Sequence, residues 1–175
     1  NQSSYLRVGK RLSGWASSTE TGSDPLDALI YFSKRDIYSV ENVLSFKYSF
    51  TNRMGLNIRA RHYWSKVDPK EFFELNTKGG LDKPTTDFSE NVNQNYNYFT
   101  VDMLYNWQFA QGSFLSVVWK NIAESFERSF ENGYFDNLGK TVTGPQYNSI
   151  SIRVIYFIDY LTAKKALKKK KNTSI

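Results

Sequence analysis

The sequence predicts an all-β fold, an antiparallel up-and-down transmembrane β-barrel segment of about six strands that is an incomplete barrel on its own. Three observations carry that prediction. Apolar and polar residues alternate with period two along several stretches, aromatic residues are abundant in a chain of low mean hydropathy, and long connections alternate strictly with tight ones. The clearest stretch is 97–121, two alternating arms about a tight turn at Ala110, Gln111 and Gly112. In the first arm Phe99, Val101, Met103, Tyr105, Trp107 and Phe109 take one side, and Tyr98, Thr100, Asp102, Asn106 and Gln108 the other. In the second arm Leu115, Val117 and Trp119 share a side. Alternation alone also suits a half-buried soluble hairpin. The length of the first arm and the aromatics at its end point to a bilayer instead. Roughly nine to eleven tilted residues cross the hydrocarbon core as a strand, and Trp and Tyr gather where hydrocarbon meets head groups.

Composition bounds the alternatives. The 175 residues suffice for one domain with a sizeable core. Yet 13 Phe, 12 Tyr and 4 Trp accompany a mean hydropathy of −0.54, as expected of strands that are apolar on one side only. No stretch approaches about eighteen uncharged apolar residues, which excludes a transmembrane helix. A transmembrane strand escapes that test, because its polar side lowers the average. The lack of cysteine removes disulfides, thiolate metal sites and cysteine nucleophiles. A single histidine, His62, leaves no two-histidine metal site, and no cofactor is predicted. No signal peptide opens the sequence. Because an outer-membrane chain must be exported, the direct entry of residues 1–5 into a strand pattern predicts a carboxy-terminal piece of something longer.

Taken in order, residues 5–12 alternate Leu6, Val8 and Leu12 against Arg7, Gly9 and Arg11 and read as a strand. Residues 13–27, rich in Ser, Thr and Gly, read as a loop. Residues 28–32 form a short apolar run, a strand extending beyond the membrane or a seventh crossing. Residues 42–51 are a strand with Leu44, Phe46, Tyr48 and Phe50 on one side. After a turn at 52–55 the return strand carries Leu56, Ile58, Ala60, His62 and Trp64 against Asn57, Arg59, Arg61 and Tyr63. Long connections are expected at 67–95 and at about 123–145. The last strand, 149–160, sets Ile150, Ile152, Val154, Tyr156, Ile158 and Tyr160 against Ser149, Ser151, Arg153, Phe157 and Asp159. Outer-membrane barrels have short periplasmic turns and long outer loops, and a periplasmic end at Tyr160 puts both tight turns on the periplasmic side. Residues 161–175, with Lys164, Lys165 and Lys168 to Lys171, then form a basic periplasmic tail, whose lysines match the net charge of +6. No aromatic stacking platform accompanies those lysines, so no nucleic acid is expected as a partner.

Turning the apolar rows to outer-membrane lipid puts Arg7, Arg11, Lys47, Arg59, Arg61, Lys120 and Arg153 inside, with Asp102 and Asp159. Such a lumen favours anionic solutes if open. In a filled barrel the same cations pair with carboxylates on other strands or plugs. Trp64, Tyr105, Trp107, Trp119, Tyr156 and Tyr160 are the expected membrane-interface aromatics, and His62 is expected beside Trp64 as an interfacial ring on the lipid-facing row. Open sheet edges cannot face lipid, so amino-terminal strands of the same protein or other chains must complete the barrel.

Several strings resemble one family. Tyr31-Phe32-Ser33-Lys34-Arg35-Asp36, Val40-Glu41-Asn42, Tyr48-Ser49-Phe50-Thr51-Asn52-Arg53-Met54 and Arg59-Ala60-Arg61-His62-Tyr63-Trp64-Ser65-Lys66-Val67 resemble the carboxy-terminal barrel of a widespread Bacteroidota outer-membrane family of undefined function. The run from Trp107 to Lys120 and the closing Tyr156-Phe157-Ile158-Asp159-Tyr160 are similar to its other hallmarks. The likeness spans roughly residues 28–160, with Gln111 where the family usually has Pro and Ser33 where it usually has Gly. Its members carry an amino-terminal β-sandwich similar to family-nine carbohydrate-binding modules. No such module lies in these residues, so the resemblance implies no sugar binding for them. The alternation, the aromatic girdles and the sorting of long and tight connections predict an outer-membrane barrel component acting as pore, scaffold or subunit of a larger assembly, and not an enzyme. The alternatives are a soluble, lipocalin-like all-β ligand-binding barrel, with the aromatic rows inside, and an outer-membrane hydrolase. The hydrolase lacks a serine and an acid at recognisable spacing from His62.

Overall fold

The computed structural model describes residues 1–19, 28–85, 87–130, 133–160 and 164. The elements are β1 (Gln2–Thr19), β2 (Leu29–Thr51), β3 (Met54–Leu75), the short β4 (Leu81–Asp82), β5 (Gln94–Ala110), β6 (Ser113–Glu127), α1 (Tyr134–Thr143) and β7 (Gln146–Ile155). They form one sheet in the order β1-β2-β3-β5-β6-β7, with β4 added to the outer end of β3, and every pairing is antiparallel. This is an all-β, up-and-down sheet that does not close: among the described residues neither β1 nor β7 is paired on its outer side. No described helix is long and apolar enough to cross a membrane.

Both tight connections lie at one end of the sheet. Asn52 and Arg53 join Thr51 to its partner Met54, and Gln111 and Gly112 join Ala110 to Ser113. The β1–β2, β3–β5 and β6–β7 connections lie at the other end, and several are shorter than expected because the ladders run on. Residues 13–19, expected as loop, are strand because they pair with the start of β2, Thr19 lying opposite Leu29. Residues 29–32 therefore belong to the 23-residue β2 and are not a separate crossing. Likewise β3 continues through Leu75 because β2 supplies partners as far as Tyr31, and β6 continues to Glu127 opposite Asn95. Ser, Thr and Gly mark loops in isolation, but a neighbouring ladder overrides that local preference. The last strand errs in the other direction. It ends at Ile155, opposite Phe114, because only Ser113 of β6 remains before the turn, and Ser113 accepts the Phe157 N–H through its side-chain Oγ at 3.0 Å. Tyr156, Asp159 and Tyr160 thus lie beyond the sheet, and the tail lysines other than Lys164 fall outside the described residues.

One register shift corrects an expected side. Gly9 lies opposite Ile37 and Leu12 opposite Arg35, so Lys10 and Arg11 together face the single residue Asp36. Arg11 adopts φ +52° and its backbone N–H donates to Asp36 Oδ1 at 2.9 Å. A bulge of this kind inverts the alternation beyond it. Leu12 therefore shares the side of Arg7 and Gly9, and a Cβ on Gly9 would stand 2.6 Å from Leu12 Cδ1. Arg11 sits within the bulge rather than in the row of Arg7.

Elsewhere the register joins the alternating rows across the whole sheet. Leu44, Ala60 and Val101 lie side by side, as do Phe46, Ile58, Met103, Trp119 and Ile150. The opposite side carries Ser45, Arg59, Asp102, Lys120 and Ser149 in one row. Among the described residues no second layer covers the aliphatic face: Leu44 is 57% and Val154 62% exposed, and Phe99 lies with them on that face. On the polar face Val43, next to Leu44, is only 9% exposed. The polar side chains are thus the more crowded of the two sets there, as on the concave side of a curved sheet.

Gly112, in the second tight turn, has φ +71°, and a Cβ there would come 2.9 Å from Phe157 Cβ. A left-handed conformation costs an L-residue about 1–2 kcal/mol. Gly112→Ala is expected to lose about that much stability by urea unfolding, whereas Gln111→Ala stays within about 0.5 kcal/mol of the parent.

Candidate functional site

Two groups of polar side chains stand out, one on each face. On the concave face, Lys47, Arg59, Arg61, Lys120 and Arg153 all follow the predicted side, with Arg7 on the edge strand β1 and Asp102 in their midst. Asp102 lies opposite both Arg59 and Lys120, but the Lys120 Nζ–Asp102 Oδ1 distance is 3.9 Å and both side chains are about half exposed, a loose contact. The Arg61 pair is tighter, its Nε 2.8 Å from Glu41 Oε1. Glu41 was not singled out because the strand was expected to start at residue 42, whereas β2 begins at Leu29. Carried back along β2, the same alternation puts Glu41 on the side of Ser45 and Lys47. A groove of about 310 Å³ runs along this face past Lys47, Asn57, Arg59, Asp102, Leu104 and Val118. Asp159, beyond the end of β7, is not on this wall.

Farther out, past the predicted crossing, the 76–93 connection folds over the same face. Phe88 packs between Tyr31 and Phe72, with ring centroids 4.9 and 4.4 Å away, and Ser17 donates to Glu90 at 2.8 Å. Thr85 Oγ1 and the Thr85 N–H donate to Glu74 Oε2 at 2.5 and 3.0 Å. These bonds hold the Glu74 carboxyl below its ordinary pKa.

The predicted interface aromatics fall at the two borders of the aliphatic face. Toward the tight-turn end, Tyr105 and Trp107 lie in neighbouring rows, and Trp107 makes an edge contact with Phe109. Tyr156, although outside β7, stacks on Phe109 at 6.3 Å. Tyr160 is exposed beyond them. Toward the loop end, the Trp64 and Trp119 indole N–H groups donate to Asn95 Oδ1 and Asn148 Oδ1 at 2.8 and 3.1 Å. Each ring thus has a polar tip directed away from the aliphatic band, as an amphipathic aromatic at a boundary requires.

The second group was not anticipated. α1, inside the connection expected to be irregular, lies across the loop end of the aliphatic face. Tyr134 Oη accepts from Asn42 Nδ2 at 2.7 Å and sits 2.8 Å from His62 Nδ1. Asn137 Oδ1 accepts from Asn95 and Asn97 at 2.8 and 3.3 Å, and Thr141 Oγ1 meets Ser125 Oγ at 3.1 Å. His62 keeps the predicted side but is only 3% exposed, so it is no open interfacial ring. The helix covers it. Tyr134, Asn137 and Thr141 recur at i, i+3 and i+7, so one helical stripe supplies these hydrogen bonds to the sheet. A search for apolar periodicity misses such a stripe because all of its members are polar.

Asn137 is 1% exposed and also donates to the Gly133 carbonyl at 2.7 Å, closing the first turn of α1. Removing one partner of a buried hydrogen bond costs about 1–3 kcal/mol. Asn137→Ala is expected to cost that much locally. It should raise amide hydrogen exchange across α1 severalfold, with exchange in β5 and β6 near their turn unchanged.

Comparison with curated proteins and with solved structures finds no match. A family model described as "Domain of unknown function (DUF5916)" matches residues 4–167, and so takes in every strand of the sheet, the helix and both polar groups. The chain belongs to this DUF5916 family.

Proposed function

We propose that the domain is part of the wall of an integral outer-membrane β-barrel in a Gram-negative, Bacteroidota-like cell, with acyl chains against its aliphatic face and a cationic lumen on its concave face. One observation carries the proposal: a single-layer sheet exposes a continuous aliphatic face on one side and gathers its charges on the other. In water that aliphatic face would demand a second layer. In a bilayer it meets hydrocarbon, and roughly nine residues from Phe99 to Trp107 match the thickness to be crossed. The grouping of tight turns at one end and long connections at the other supports the same orientation. Strands from elsewhere in the protein, or from other chains, cover the edges of β1 and β7, since unpaired backbone groups are too costly in lipid. The role is passive, as pore, scaffold or subunit of a larger assembly, with lumen cations that favour anions wherever solutes pass.

Val101 and Leu104 lie on opposite sides of β5, and their substitution tests the proposal. An Arg on the lipid face near the midplane costs about 2–4 kcal/mol, and much less on the lumen face. Val101→Arg should abolish or sharply reduce the heat-modifiable, folded band of the protein in detergent gels, while Leu104→Arg preserves it. A soluble ligand-binding barrel gives instead a protein that is monodisperse without detergent. For the lumen, reversal potentials in planar bilayers should indicate anion preference and fall toward zero in Arg59→Gln/Lys47→Gln protein.

A further inference from the structure

We infer that α1 is a membrane-interface helix that rests on the barrel exterior with its apolar flank in contact with the outer-leaflet lipid, an inference that rests on the barrel proposal above. The helix has three stripes. Tyr134, Asn137 and Thr141 bind the sheet. Phe135, Leu138 and Val142 form a second stripe at the same i, i+3, i+7 spacing, about 100° around the axis. Asp136 and Lys140 lie on the remaining side. Phe135 is 80% exposed and Val142 is exposed as well. This inverts the usual order of a surface helix, which buries apolar residues and shows polar ones. The medium beside the outer flank must itself be apolar.

Which way the flank points follows from two independent observations. α1 runs across the strands, with Tyr134 over β2 and β3, Asn137 over β5 and Thr141 over β6, so its flanks face the two ends of the sheet. Lys140 Nζ lies 3.6 Å from Glu127 Oε2 at the outermost end of β6, which turns the polar flank toward the loops. The second observation is handedness. Seen along a right-handed helix passing from β3 to β6, with the loops uppermost and the sheet on the right, the stripe that follows the sheet-facing one clockwise points down. That stripe is Phe135, Leu138 and Val142, and below it lies the aliphatic band of Ala60, Val101 and Met103. The contact surface is therefore continuous with the proposed lipid-facing wall. Helices of this pattern lie in the interface plane with the apolar side sunk toward the acyl chains.

These 175 residues contain no cysteine, so single-site spin labels can be placed in them in the full-length protein, with any cysteine elsewhere replaced by serine, after reconstitution into phosphatidylcholine vesicles. Phe135→Cys, Asp136→Cys and Val101→Cys are labelled in turn, and collisions with oxygen, which partitions into lipid, and with a water-soluble nickel chelate are compared. The oxygen-to-nickel ratio should be highest at Val101→Cys, and at Phe135→Cys severalfold above that at Asp136→Cys. If the Val101 label reads as lipid-buried but the Phe135 label matches the Asp136 label, α1 faces water and the inference is overturned with the barrel intact. A Phe135 label shielded from both reagents places a protein partner, not lipid, against the flank and also overturns it. A Val101 label without lipid exposure overturns the barrel proposal itself.

Discussion

Successive side chains of a strand point to opposite sides, and here that constraint acts on a sheet only one layer thick. Most globular β domains bury an apolar face against a second sheet or a helix. In this chain the rows of Leu44, Phe46, Ile58, Met103 and Ile150 have no such cover along their middle. The helix α1 goes to the loop end of that face and makes its hydrogen bonds to the sheet through Asn, Thr and Tyr. Polar contacts are used where the backbone folds back on the sheet, and aliphatic surface is left bare where it does not. The two choices agree with the proposal that the medium changes along the strands.

The strand core of the fold was legible in the sequence because period two survives wherever a strand is regular. Both tight turns, the central hairpin and the common side of Lys47, Arg59, Arg61, Asp102 and Lys120 follow from it. Where it fails, the cause is local. Parity counted through Lys10 and Arg11 puts Leu12 on the wrong side, since two residues there face one. Strand ends were misjudged in both directions for a common reason: an end is decided by whether the neighbouring strand still offers partners, and no single stretch carries that information. Thus Ser13 to Thr19 became strand, and Tyr156 onward did not.

The helix was hidden by its chemistry. Asn, Thr and Gly are poor helix formers, and Tyr134–Thr143 contains all three. Its sheet-facing stripe is polar, and the partners on β5, Asn95 and Asn97, look like loop residues. What makes the arrangement stable is mutual satisfaction, with Asn137 accepting from both asparagines while donating to Gly133. Such a contact forms only when two segments distant in sequence arrive together, so neither segment announces it alone. The apolar stripe of Phe135, Leu138 and Val142 was visible at helical spacing, but three residues in a connection have little weight without the geometry beside them.

The concave face poses a balance between pairing and openness. If the cations served only to fill a closed interior, each would be expected to hold a carboxylate tightly, because a charge left alone away from water is costly. Arg61 does so with Glu41. The row of Arg59, Asp102 and Lys120 instead sets one carboxylate between two cations, with Lys120 held at 3.9 Å and half exposed. That spacing suits side chains that stay in contact with solvent, whereas the groove beside them is lined largely by apolar surface, with Leu104 and Val118 among its residues. At the loop end the same face is treated differently: Phe88 is wedged between Tyr31 and Phe72, packing an aromatic cluster over the polar side. In the barrel proposed above, a wall that is cationic at mid-height and capped by the Phe88 cluster toward its outer end would select solutes by the connection that carries Phe88 more than by the charges farther in.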